Sequence, residues 1–425
     1  MTSKLAMDAL RHTVTGIPND RLTPARLAAL AQIDEQGLPT TAHEDWKYTD
    51  IGKLVETSNQ WLADDSKGSP ISVDLIESIT TQFDASWLVI RNGVVDTESI
   101  DNFALKQVDV KLLTDTETDP GYEAPLSDLN LALLRDGITI QINASADENR
   151  TIGMLFIDSA IDEVGVSPMR INIDLDENSS ASFIEYHAST GQRSHYANSV
   201  VDIALADNAC AHYVRIQNRD LLHGQTARLT ATLGNASQFR HGAFDFGGRL
   251  VRNDLDIRLT GRDSSVSFCG LYLAGEQQHI DNHTRVDHLV GPATSNQEYR
   301  GILAGGARCV WNGKAVVHSG ADGTDADQAN HNLLLSDSAE IDAKPELEIY
   351  ADDVKCSHGT TIGQLDANAL FYLRTRGLDE ASARQLLTRA FAQKIVAMSP
   401  IESIQETISE MVAGRVEELI ARVSK

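Results

Sequence analysis

Between residues 138 and 363 the chain alternates apolar and polar positions with a period of two. Ile138, Ile140 and Ile142 interleave with Thr139 and Gln141. Ile171, Ile173 and Leu175 interleave with Asn172 and Asp174, and Leu255, Ile257 and Leu259 with Asp254, Asp256 and Arg258. This period predicts strands with one buried and one wet face. No amphipathic helix pattern interrupts the stretch, which argues against a doubly wound α/β fold. Small polar corners recur before apolar or aromatic positions: Ser180-Ala181-Ser182-Phe183, Asn235-Ala236-Ser237-Gln238-Phe239 and Ser264-Ser265-Val266-Ser267-Phe268, with Asn208-Ala209-Cys210-Ala211 fitting loosely. Their spacing of roughly 27–29 residues suits a solenoid, but it lengthens after Phe268, and a β-sandwich with even turns also fits.

The flanks read differently. Thr23-Pro24 predicts a helix start, with Leu27, Leu30 and Ala31 on one face and Gly37 and Pro39 as the stop. Trp87-Leu88-Val89-Ile90 followed by Asn92-Gly93 predicts a strand and turn. Residues 66–70 read as a loop, and Ser127 as the cap of a short helix carrying Leu129 and Leu133. Near the C-terminus, Leu387, Phe391 and Ile395 recur at spacing four, with Leu386 and Ala390 alongside. Ser399-Pro400-Ile401-Glu402 has the form of a capping box. Ile401, Ile404, Ile408, Met411, Val412, Leu419 and Ile420 then form an apolar stripe. Taken alone, that stripe predicts a helix packed back on the body.

Charge narrows the classes of function. Of 425 residues, 36 are Lys or Arg and 61 Asp or Glu, a net charge of −25. Such a surface repels nucleic-acid backbones and anionic lipid. No apolar run approaches the length of a membrane span, and the first residues do not read as a signal peptide. Cys210, Cys269, Cys309 and Cys356 are scattered without a Cys-x-x-Cys pair, which points to a reducing, cytoplasmic setting.

Three motifs carry candidate chemistry. Gly313-Lys314 fails as a phosphate loop, because Arg308 stands where Gly is needed and Ala315 where Ser or Thr should hold magnesium. His279, Asp281, His283 and Asp287 share one strand face, which suits a metal, but Arg285 interrupts that face. The bland alternative is a hydrogen-bonded polar face. In Asp353-Val354-Lys355-Cys356-Ser357-His358-Gly359, the side chains of Val354, Cys356 and His358 would share a face. Cys356 and His358 then suit two ligands leaning toward one metal or cluster better than a nucleophile and base. A buried thiol beside a satisfied imidazole is the bland reading.

Several segments together resemble the SufB/SufD family of iron–sulfur cluster assembly proteins. They are Glu44-Asp45-Trp46-Lys47-Tyr48-Thr49, the run from Asp281 to His288, Leu333-Leu334-Leu335-Ser336, Ala343-Lys344-Pro345-Glu346-Leu347-Glu348-Ile349, the Cys356–His358 motif, and Leu370-Phe371-Tyr372-Leu373-Arg374-Thr375-Arg376-Gly377. Within the family, the Cys-Ser-His-Gly run is similar to the SufD branch; residues 331–336, placed opposite the essential cysteine of the SufB branch, contain none. The resemblance implies a mainly β fold: a right-handed parallel β-helix over residues 136–364, with a helical or mixed region at 1–135 and a helical region at 365–425. It implies a non-catalytic subunit that pairs with a SufB-like subunit and takes up iron or a transient Fe–S cluster at their interface through Cys356 and His358. It implies no tightly bound cofactor in the isolated chain. It also implies that residues 365–397 receive a SufC-like ATPase, with Phe371, Tyr372 and Leu387 as contacts, against the simple packing-back of the tail. Whether the isolated chain forms a homodimer stays open. Two alternatives remain: a purely structural partner, and a stand-alone metal-binding β-helix protein built on His279 and His283.

Overall fold

Two sheets, ten and nine strands long and parallel except for one antiparallel strand at the first end of each, wind around a shared interior. The computed structural model describes residues 4–63, 69–103, 105, 108–116, 124–144 and 151–423. Most of the loop expected at residues 66–70 lies outside them. Strands make up 42% and helices 28%, in a β-solenoid of about 7 turns, so the solenoid and not the sandwich is the fold.

The period-two pattern explains the interior. Ile138, Ile171, Val201, Leu229 and Leu255 are stacked in register, and Ile140, Ile173, Ile203, Ala231 and Ile257 form the next row. All of them are buried. Each side chain therefore packs on its counterpart one turn away, at the ~4.8 Å strand spacing. Corners between the two sheets fall at the small polar segments. Asn178, Asn208, Ala236 and Asp263 adopt φ between 52° and 59° there. Asn and Asp tolerate this left-handed conformation better than other side chains. The repeat does not decay after Phe268: ten-residue strands continue through Thr294–Leu303, Arg308–Val317, Asp325–Leu334 and Glu340–Ile349. Longer corners at 318–324 and 350–354 account for the drift in spacing.

Close packing reaches the backbone at Gly270. It lies in register with Tyr299, and a Cβ there would sit 2.0 Å from that ring's Cε1. Gly270→Ala is expected to cost about 1–3 kcal/mol by forcing the buried ring aside. A lowered urea midpoint with an unchanged slope checks it.

Helices cover the outer faces. Met7–Gly16, Thr23–Gln36, Gly52–Ala63 and Pro125–Leu133 share a core with Val166 and Tyr196 of the nine-stranded sheet. In Thr23–Gln36 the buried face is Ala25, Arg26, Ala29, Leu30 and Ile33; Leu27 is 46% exposed and Ala31 is also exposed, contrary to expectation. The reason is Arg26, whose buried guanidinium pairs with Asp20 at 2.6 Å and donates to the carbonyls of Leu134 and Arg135. Ser127 lies inside the helix Pro125–Leu133 and does not cap it. The turn at Asn92-Gly93 forms as expected, between Ser86–Arg91 and Val94–Val95.

The ten-stranded sheet is covered by Val73–Thr80, Glu380–Val396 and Gln405–Val423. Ile404, Ile408, Val412, Val416 and Leu419 lie in one core with Val214, Ile216, Leu271 and Leu273, so this last helix does pack back on the body. Its expected capping box does not form. A short 3-10 turn, Glu402–Ile404, precedes the helix, and Ser399 Oγ donates to the Ile401 carbonyl. No helix among the described residues is long and apolar enough to cross a membrane.

Candidate functional site at the open end of the solenoid

The two ends of the solenoid differ. At the first, Val108–Leu112 pairs antiparallel with Ile138–Ile142. At the other, Glu340–Ile349 and Lys355–Gly363 are the terminal strands of their sheets. Each is bonded on one edge to the preceding turn, and the second edge is where another chain's strand would add. Ile349, Tyr350 and Ile362 are 43%, 63% and 52% exposed there.

Cys356 and His358 occupy this last turn. Cys356 is in register with Ala326, and His358 with Gln328. Ala326 and Gln328 are buried inside the solenoid. The thiol and imidazole therefore continue interior rows, at the point where no further turn covers them. Cys356 is half-buried and His358 exposed. The row holding His358 changes character along its length: Phe183, Tyr213, His241, Phe268, Gln297, Gln328, His358. The shared face expected of the pair is thus present, and it opens at an end and not a flank. The strand starts at Lys355, so Val354 lies just before it, next to Asp353 at φ 50°.

Burial, and then the Asp325 carboxylate, pushes the Cys356 thiol up. It rests as a thiol at neutral pH and must lose a proton to bind a metal. Among the described residues no group of three or more His, Cys, Asp or Glu could hold a metal ion. Two donors from this chain would leave the remaining positions to another molecule.

The face carrying His279 and His283 is differently employed. Asp281, between them, is buried and bonded by Arg252 Nη1 at 2.6 Å and by Thr49 Oγ1 at 2.5 Å. His279 Nε2 lies 2.8 Å from the same Thr49 hydroxyl, and His283 Nε2 3.1 Å from Asp281. Burial opposes ionisation of Asp281, but Arg252 and then His283 outweigh it and hold the carboxyl well below the usual range. Arg252 also stacks on Trp46 at 4.3 Å and donates to the Asp45 carbonyl, while Lys344 pairs with Glu44 at 2.9 Å. The sequence segments 44–49 and 281–288 are therefore two halves of one latch, with Arg252 between them. Sequence reasoning missed Arg252; its place in a strand of alternating charge gave no sign of a partner 207 residues away.

Of the three proposed docking residues, Phe371 and Tyr372 are 70% and 56% exposed on Ala367–Thr375, a helix that buries no residue. Leu387 is half-buried, and its neighbour Leu386, 49% exposed, takes the outward position. The helix Glu380–Val396 turns Ala392, Ile395 and Val396 to the sheet, which draws Leu387 partly inward.

Residues 156–391, more than half of the chain, match the family model described as SUF system FeS cluster assembly, SufBD core domain. The chain is 28% identical over 412 residues to the iron–sulfur cluster assembly protein SufD of Escherichia coli, covering 92% of this chain and 93% of that relative. It is 28% identical over 431 residues to a SufBD family protein of Synechocystis, covering 95% and 93%. A SufBD family protein of Mycobacterium leprae is 35% identical over 186 residues, 42% of this chain and 47% of the relative. A parallel solenoid with helices on both outer faces, matched by this model through most of its turns, places the chain in the SufBD family of iron–sulfur cluster assembly proteins.

Proposed function

We propose that this chain is a non-catalytic, cytoplasmic scaffold subunit whose open solenoid end meets a SufB-like subunit. Cys356 and His358 there help receive iron or ligate a nascent cluster, the cargo of the reaction. The observation that carries this reading is the position of the pair on interior rows at an uncovered end. A thiolate is the soft donor that iron–sulfur chemistry uses. The imidazole supplies a second donor, or takes the thiol proton as iron arrives. Two free strand edges beside exposed Ile349, Tyr350 and Ile362 suit strand addition by a partner.

A SufC-like ATPase would bind the helix Ala367–Thr375 through Phe371, Tyr372 and Leu386, with Leu387 at the margin. The outward face of that helix, with Phe371 and Tyr372 exposed, is apolar surface that a partner would cover. Nucleotide binding by that partner would then move the open end relative to the SufB-like subunit.

Co-expression with SufB-like and SufC-like partners tests the assembly. Cys356→Ala and His358→Ala complexes are expected to assemble at normal yield while cluster formation falls at least about tenfold, the scale on which loss of a metal donor acts. Normal cluster formation in both variants would leave the chain a purely structural partner.

A further inference from the structure

A second Cys-x-His pair lies on the outside of the solenoid. Cys210 and His212 are both half-buried, at the start of the strand Cys210–Asn218. Their neighbours Ala211 and Tyr213 are fully buried inside, so the pair faces outward on the ten-stranded sheet. Further along the same outer face, Val214 and Ile216 lie buried in the core shared with the C-terminal helices. Among the described residues the buried helical core therefore ends before Cys210 and His212.

Here thiol and imidazole meet. Cys210 Sγ is 3.8 Å from His212 Nε2, a sulfur hydrogen bond. In the next strand Gln238 is in register with Cys210 and Arg240 with His212, and both are exposed. On the other side Ser180 and Ser182 hold the corresponding positions. Burial, and then the Arg240 guanidinium, keep the imidazole below its ordinary value, so near pH 7 it is neutral and able to accept the thiol proton. Arg240 repels a metal cation but favours an anion, which turns the pair away from metal binding and toward a thiolate.

The other three thiols lack this combination. Cys269 and Cys309 are buried. Burial pushes the Cys269 thiol up to about 12, and raises Cys309 further still. Cys356 is held as a thiol by burial and by Asp325.

We propose that Cys210, His212 and Arg240 form a thiol-exchange site, at which Cys210 takes up a small-molecule thiol as a mixed disulfide. The S–H proton passes to His212 Nε2. The Cys210 sulfur attacks one sulfur of a low-molecular-weight disulfide. A new S–S bond forms, the old one breaks, and the leaving thiolate takes the proton from His212. The small disulfide is the oxidant: half of it leaves reduced as a free thiol, and half stays on Cys210. Ser180 and Ser182 on one flanking strand are small, and Gln238 and Arg240 on the other are exposed, so that half lies toward solvent.

The test is the reaction of the full-length native chain with glutathione disulfide and with an aromatic disulfide reporter, followed by mass mapping. Cys210 is expected to react first. Cys210→Ser removes the fast phase and Cys356→Ser retains it. His212→Gln slows the fast phase about tenfold at pH 7 and moves its pH profile upward. Arg240→Gln moves it the same way by less. A fast phase that survives Cys210→Ser, or that vanishes with Cys356→Ser, overturns the proposal. So does a pH profile unmoved by His212→Gln in a variant that melts like the parent chain.

Discussion

Between pH 7.5 and pH 5 the fold is expected to lose at least about 5 kcal/mol of stability, because several histidines are buried uncharged, three of them with the largest shifts. Burial holds His195 at about 3, with Arg219 and His223 adding to it against Asp158. Burial and then Arg215 hold His241 at about 3, against Glu185. Burial, with His318 nearby, holds His288 at about 4, against Asp287. In the unfolded chain each imidazole takes up a proton near pH 6.5; in the fold none does until the pH is far lower. The unfolded state therefore binds more protons throughout that window, and stability falls as pH falls, by roughly 2 kcal/mol per histidine at pH 5. Asp245, whose carboxyl is raised by burial, gains a proton more readily in the fold and offsets part of the loss. Urea unfolding at pH 7.5, 6 and 5 measures the trend. His241→Gln should flatten it by roughly 2 kcal/mol, the share of one such ring. Equal stability at all three values would mean that these rings are hydrated or charged in the native protein.

Arg252→Met is expected to cost about 3–5 kcal/mol, the scale of a buried ion pair broken on one side. The side chain is 2% exposed and bonds Asp281 at 2.6 Å and Asp254 at 2.7 Å. Removing it strands the Asp281 carboxylate in a buried site, with Thr49 and His283 as remaining partners. It also removes the platform on which Trp46 stacks and the donor to the Asp45 carbonyl. Segment 44–49 should then exchange its amide hydrogens faster than the solenoid strands do. Adding Asp281→Asn should recover part of the loss, because the stranded charge is gone, and a double-mutant cycle reads the coupling. A cost below about 1 kcal/mol would show that the helical region is held by its apolar core alone.

Much of the molecule was determined by local sequence. Alternation at 138–142, 171–175 and 255–259 fixes which side chains enter the interior, since a strand can bury only every second residue. The polar corners mark the turns, because Asn and Asp accept the left-handed backbone that the corner needs. The same parity puts Cys356 and His358 on one face.

What the sequence left undecided are properties of stacking and of ends. Whether paired strands close into a solenoid or a sandwich depends on which strand lies above which, a choice between segments about thirty residues apart. Whether a residue of given parity is buried depends on whether another turn follows: Gln328 is sealed by the strand above it, and His358, in the same row, has none. Leu27 is outside and Arg26 inside because a carboxylate and two carbonyls converge on that guanidinium, partners that periodicity does not see. Arg252 joins two distant segments for the same reason. Cys210 and His212 meet on the outer face of their strand, while the same Cys-x-His spelling at 356 continues interior rows. Local pattern assigns a side chain to a face; only the assembled turns determine what that face meets.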